Sequence, residues 1–146
     1  MGLDYDPWQH AEGLRLTVEE RKLPSRHRGE YHHGERLILI APHLSHREAR
    51  STLAHEIQHA LVGDLPTPFG PVHRRQEIRA RKGAALLLID AGEYATAEQL
   101  RDGHVRSIAY DLEVTARIVT DWRNYWASED PRSSSALRAM LRSACW

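Results

Sequence analysis

Residues 46 to 62 contain neither glycine nor proline, and within them lies His-Glu-Ile-Gln-His at positions 55 to 59. On a helix, side chains four apart share a face. His55 and His59 can therefore aim two imidazoles at one metal ion, with Glu56 beside them, near enough to take a proton from a water. The spacing reads as a zinc-peptidase centre and commits this stretch to a helix.

A chain with ten histidines in 146 residues can place this pattern by accident, so its surroundings matter. Ser45-His-Arg-Glu48 is a capping box, and Gly63 follows as a left-handed C-cap. Leu53, Ile57, Ala60 and Leu61 form an apolar stripe at helical spacing, while Thr52, His55, Glu56 and His59 fall on another side. A bounded amphipathic helix with the metal-binding pair off its apolar stripe is a better account than two surface histidines.

A catalytic zinc needs a third protein ligand and an open position. After Gly63 the chain reads Asp-Leu-Pro-Thr-Pro-Phe-Gly-Pro, a loop whose last proline suits the first turn of a new helix, expected from about 72 to 89. Glu77 on that helix is the expected third ligand. His73, one turn earlier, is its rival, placed at the frayed helix start.

Twenty acidic and twenty basic side chains give a net charge of zero, which removes the usual electrostatic argument for nucleic-acid binding. The lone cysteine, Cys145, excludes an intrachain disulfide and reads as an inert tail residue. The first residues carry no cationic and apolar signal segment, and the longest apolar run, 84 to 89, is too short to span a membrane. A reducing cytoplasm is the simplest compartment.

The length suits one domain, 1–146, with a core at about 13–90 and a helical extension at about 96–146. A short helix is expected over 4–12. Leu14, Leu16 and Val18 alternate with polar residues as a half-buried strand. Residues 29–33 and 36–41 read as a hairpin turning at Gly34, with Leu-Ile-Leu-Ile the more buried arm. Thr96-Ala-Glu-Gln99 reads as a second capping box and Gly103 as a C-cap. Two helical stretches follow in 105–127 around Leu112-Glu113-Val114, and another in 135–144. Strands first and helices afterwards make an α+β pattern. His32 and His33, adjacent on a strand, point to opposite faces and read as a polar hairpin tip rather than a chelating pair. Trp8, Trp122, Trp126 and Trp146 read as core or helix-packing residues.

The stretches Pro42-His-Leu-Ser45, Arg50-Ser-Thr-Leu-Ala-His-Glu-Ile-Gln-His59, Glu77-Ile-Arg-Ala80 and Ala84-Ala-Leu-Leu-Leu-Ile89 resemble the ImmA/IrrE family of bacterial and phage metallopeptidases, over roughly residues 28 to 90. The resemblance implies a small gluzincin-like zincin core, a short three-stranded sheet packed on two metal-binding helices, with a helical C-terminal tail. It implies zinc held by His55, His59 and Glu77, Glu56 as catalytic base, and a helix-turn-helix repressor as the substrate, cleaved to release phage, mobile-element or stress genes. Residues 109–122 are similar to the helical tail of many relatives. Three positions depart from the pattern: Gln58 stands where relatives often have glycine, Arg81 replaces the usual asparagine, and Gly83 replaces the usual aromatic. A mid-helix glycine costs about 1 kcal/mol against alanine, so Gly83 points to close packing against the first helix.

Three functions fit the residues. The first is a zinc endopeptidase in which 36–41, or its hairpin partner, binds an extended peptide by edge pairing, with His73, His104 or Tyr110 as candidate oxyanion donors. The second is a catalytically silent zinc-fold regulatory module, disfavoured because a structural zinc normally has four protein ligands. The third is a DNA-binding regulator with a helix-turn-helix in 105–127, disfavoured because Asp102, Asp111, Glu113 and Asp121 offset the arginines there.

Overall fold

The computed structural model describes residues 1–24 and 26–129. A 3₁₀ turn at Gly2–Asp4 is followed by α1 (Pro7–Gly13), β1 (Thr17–Glu20), β2 (Gly29–His32), β3 (Leu37–Ile40), α2 (His46–Val62), α3 (Gly70–Leu88), α4 (Ala91–Leu100), α5 (Val105–Asp111) and α6 (Ala116–Glu129). The fold is α+β, with a three-stranded sheet. The described residues form two compact units, one within 6–84 and one of 1–5 with 85–129.

In the first unit the strands lie in the order β1-β3-β2, with β1 parallel and β2 antiparallel to β3. All four residues of β3 are buried, as a middle strand with a covered face on each side requires. On one face Ile38 and Ile40 join Tyr31, Leu16 and Ala11 against Leu53 and Ile57 of α2. On the other, Leu37 and Leu39 pack with Leu23. Each such side chain contributes about 1.5–3 kcal/mol by burial, and truncating Ile57 to alanine would cost about 2–5 kcal/mol and loosen α2 from the sheet.

α2 has the boundaries its sequence predicts. Ser45 accepts from the Glu48 amide at 3.3 Å, Glu48 accepts from the Ser45 amide at 2.9 Å, and Gly63 closes the helix at φ 69°. The predicted apolar stripe is only partly buried. Leu53 and Ile57 are fully enclosed, but Leu61 is exposed, while the polar Arg50, Ser51, Glu56 and His59 are buried. Ala60 is partly buried against the core, so the stripe is covered as far as Ala60 and open at Leu61.

Several other expectations are corrected. The predicted 4–12 helix is a 3₁₀ turn and a separate helix, because Asp6 caps α1 by accepting from the amides of Trp8 and Gln9. The strand expected from Leu14 begins at Thr17, after Arg15 takes a left-handed φ of 57°. The hairpin turns through Gly34, yet Arg36 carries the positive φ. Thr96 does not start a helix. It lies inside α4, which is capped by Asp90 through the amides of Gly92 and Glu93, and its hydroxyl bonds back to the Gly92 carbonyl. The earlier aspartate captures the free amides first. The strand offered for edge pairing, β3, is hydrogen-bonded on both sides, so only its hairpin partner β2, or β1, has an open edge.

In the second unit Trp122 and Tyr94 are buried with ring centroids 4.1 Å apart, and the Tyr94 hydroxyl accepts from Arg123 Nε at 2.6 Å. α5 and α6 flank Leu112-Glu113-Val114 as expected, and Gly103 takes φ 74° after α4. Trp126 packs edge-on to Trp122. In the first unit, Trp8 is part-exposed and stacks on His46. The predicted helix at 135–144, Cys145 and Trp146 lie outside the described residues. No helix among the described residues is long and apolar enough to cross a membrane.

Candidate metal centre

α2 and α3 bring His55, His59 and Glu77 together, the one group of three or more metal-ligating side chains among the described residues. His55 Nε2 and His59 Nε2 are 3.1 Å apart, His59 Nε2 is 3.1 Å from Glu77 Oε1, and His55 Nε2 is 3.3 Å from Glu77 Oε2. Zinc bonds of about 2.0–2.1 Å in a tetrahedron imply ligand–ligand edges of about 3.3 Å. Two imidazoles and a carboxylate at these separations fit one divalent ion, with the fourth position open. His73, the rival third ligand, is exposed on α3 and outside this group. His32 and His33 are outside it as well. His32 contacts Glu30 at 3.2 Å, and His33 Nδ1 contacts the Tyr31 hydroxyl at 2.8 Å.

Charge is arranged around the three donors. Burial pushes the Glu56 carboxyl up from its ordinary value, against the opposing pull of the His55 and His59 charges. Burial alone would depress His59, but its hydrogen bonds to Glu77 and Asp64 and the nearby Glu56 charge outweigh that and hold it at about 9. Hydrogen bonds from His55 and His59 hold the Glu77 carboxyl far below the usual carboxylate range, more than offsetting its desolvation. The raised His59 and lowered Glu77 both favour positive charge at the cluster, the sign a cation site requires.

Two features escaped the sequence reading. The first is Asp64, just past the α2 C-cap. Its Oδ2 lies 2.7 Å from His59 Nδ1 and also accepts from Arg79 of α3. An ionised carboxylate only accepts, so Nδ1 carries the hydrogen and Nε2 faces the metal position. An acid five residues after the second motif histidine was the available signal. The second is Gly29, which opens β2. A Cβ there would lie 2.6 Å from Thr52 Cγ2 and 2.9 Å from Glu56 Oε1. The edge strand thus passes directly over the Glu56 carboxylate, and only glycine permits the approach. The departures at 58 and 83 are one feature, since a Cβ at Gly83 would overlap the Gln58 side chain. The larger residue on α2 occupies the space that the smaller one on α3 vacates, as the expected close packing requires.

Of the candidate oxyanion donors, His73 is exposed, His104 caps α5 by accepting from the Ser107 amide, and Tyr110 is largely exposed.

A small sheet over a helix that carries a His–Glu–His set, with a carboxylate from a second helix, is an arrangement of the metallopeptidase type. The model of the IrrE N-terminal-like domain, a peptidase family, matches residues 11–120, and the chain belongs to that family. The match extends beyond both ends of the stretch carried by the motifs. No curated protein and no solved structure matches it significantly.

Proposed function

We propose that the chain is a cytoplasmic zinc endopeptidase that cleaves a helix-turn-helix repressor. The observation that carries the reading is the convergence of His55 Nε2, His59 Nε2 and Glu77 within 3.1–3.3 Å of one another, with Glu56 buried on the same helix. Two histidines, one carboxylate and an open position are the donor set of a catalytic zinc. A zinc ion bound there supplies Lewis acidity toward the scissile carbonyl and makes a water acidic enough to act near neutral pH. Glu56 takes the proton of the attacking water and passes it to the leaving amine. Burial raises its proton affinity above that of a free carboxyl, the direction a proton carrier needs. Asp64 keeps His59 in the tautomer that points Nε2 inward. The open edge of β2, passing over Glu56 at Gly29, offers main-chain donors and acceptors to an extended peptide. That geometry calls for an unfolded segment, such as the linker of a two-domain repressor.

The test is co-expression with the repressor encoded nearest to the gene. Fragments that form with the wild type and vanish with a chelator or with Glu56→Gln are the expected result. An intact repressor beside brisk cleavage of unstructured casein would reject the dedicated partner.

A further inference from the structure

The ladder between β2 and β3 fixes which groups β2 presents to the open side of the sheet. The Ala41 amide donates to the Arg28 carbonyl at 2.7 Å, and the register pairs Glu30 with Leu39 and His32 with Leu37. Hydrogen-bonded and non-bonded pairs alternate along an antiparallel ladder, so Arg28, Glu30 and His32 turn their main-chain groups to β3. Gly29 and Tyr31 turn theirs outward, and β2 ends the sheet among the described residues. Gly29 is also the residue that passes over Glu56. A segment that pairs with Gly29 and Tyr31 therefore runs beside Glu56.

Side chains alternate along the strand as well. Tyr31 is buried in one cluster with Leu53 and Ile57 of α2, and a Cβ at Gly29 would meet Thr52 and Glu56 of the same helix. Glu30 and His32 lie on the other face. There the Glu30 carboxylate is held by two imidazoles, with Oε1 3.4 Å from His27 Nδ1 and Oε2 3.2 Å from His32 Nε2, and its side chain is 28% exposed. Neutral imidazoles that donate N–H fix a carboxylate's direction without cancelling its charge. Arg28, the cation two residues earlier, is engaged by Glu48 at 3.3 Å. Burial is the main cause of the raised Glu56 carboxyl and the Glu30 charge adds to it, so this face of β2 lies within electrostatic reach of the metal centre.

We propose that Glu30 is a specificity-determining residue, selecting a lysine or arginine side chain on the extended segment that β2 takes up. In an added strand the residue opposite Glu30 projects from the same face, with Cβ atoms about 4.5–5.5 Å apart. A long cationic side chain there reaches the Glu30 carboxylate, whereas an acidic one meets a like charge. The residues on either side of it face α2, so alternation places the cation one residue from the position beside Gly29 and Glu56. The inference rests on the edge-binding part of the peptidase reading, and its test measures binding apart from hydrolysis.

The experiment is fluorescence anisotropy of labelled peptides with zinc-loaded, full-length Glu56→Gln, chosen so that binding is read without turnover. One short peptide alternates Val with Lys and the other Val with Glu, so every charge falls on one face of the bound strand. The Lys peptide should bind about fivefold tighter than the Glu peptide. In the same background, Glu30→Gln should bring the two affinities together and Glu30→Arg should reverse their order, with circular dichroism and zinc content unchanged. Glu20→Arg makes the same charge change on β1, at the opposite edge of the sheet, and should leave the preference as it was. Equal affinities, failure of both peptides to bind, a preference that survives Glu30→Gln, or one that Glu20→Arg abolishes would overturn the proposal. A wild type that shows the preference yet leaves the Lys peptide uncut would defeat the peptidase reading and leave the role of Glu30 standing.

Discussion

His59 Nδ1 donates to Asp64 Oδ2 at 2.7 Å, and the same oxygen accepts from Arg79, two residues beyond the metal-site carboxylate Glu77 on α3. One helix thus supplies both a direct donor to the metal position and the cation that holds the orienting acid. Asp64→Asn should lower zinc affinity by about 10–100-fold while the fold persists, with Arg79→Gln causing a smaller loss. Competition against a chromophoric chelator measures both. Unchanged affinity in Asp64→Asn would remove its orienting role.

Gly29→Ala tests the approach of the edge strand to the base. Its Cβ has no room between Thr52 and Glu56, so β2 or Glu56 must shift. Stability should fall by about 1–3 kcal/mol, and hydrolysis should fall more steeply than stability explains, while zinc content stays at the wild-type value. Urea unfolding and a cleavage assay on the same preparation separate the two effects. Full activity in Gly29→Ala would show that Glu56 tolerates displacement.

The Gln58–Gly83 pair predicts a reduced gain from filling the glycine. In an exposed helix, Gly→Ala stabilises by about 1 kcal/mol. Here Gly83→Ala alone should gain less than that, because the new Cβ meets the Gln58 amide, which must swing aside. Adding Gln58→Ala should restore the ordinary gain, and a double-mutant cycle reads the coupling. Additive effects would mean that the helices do not meet at this point.

Metal uptake should release protons. His59 is held at about 9, above its ordinary 6.5, so in the metal-free chain it is protonated at neutral pH. Its contribution to metal-free stability is fully present below about 6.5 and is lost as pH rises through about 9. Glu77 is depressed, so its contribution is present above its ordinary 4.5 and is lost as pH falls through its lowered value. Zinc must displace the His59 proton, and apparent affinity should rise about tenfold per pH unit below 9. Calorimetry in buffers of different ionisation enthalpy counts the protons. No buffer dependence at pH 7 would contradict this charge state.

The parts legible in the sequence were those set by short-range geometry. The i, i+4 spacing of His55 and His59, the Ser45 box and the Gly63 cap are local, and they placed α2 to the residue. Glu77 was reachable because a loop of prolines must return the chain as a second helix. Asp64 was not, since an acid after a C-cap looks like any loop aspartate until α3 brings Arg79 to it. The strand order was hidden too. β1 pairs with β3 across the hairpin, and nothing local to Leu37–Ile40 says that both its edges are taken. Thr96 matched a motif that Asp90, six residues earlier, satisfied first.

The most direct test of the account is zinc per chain by elemental analysis of the wild type, His59→Ala, Glu77→Ala and His73→Ala. The three converging donors predict one zinc in the wild type and in His73→Ala, and substantial loss in the other two. A wild type that binds no metal, or a Glu77→Ala that keeps its zinc while His73→Ala loses it, would contradict the site.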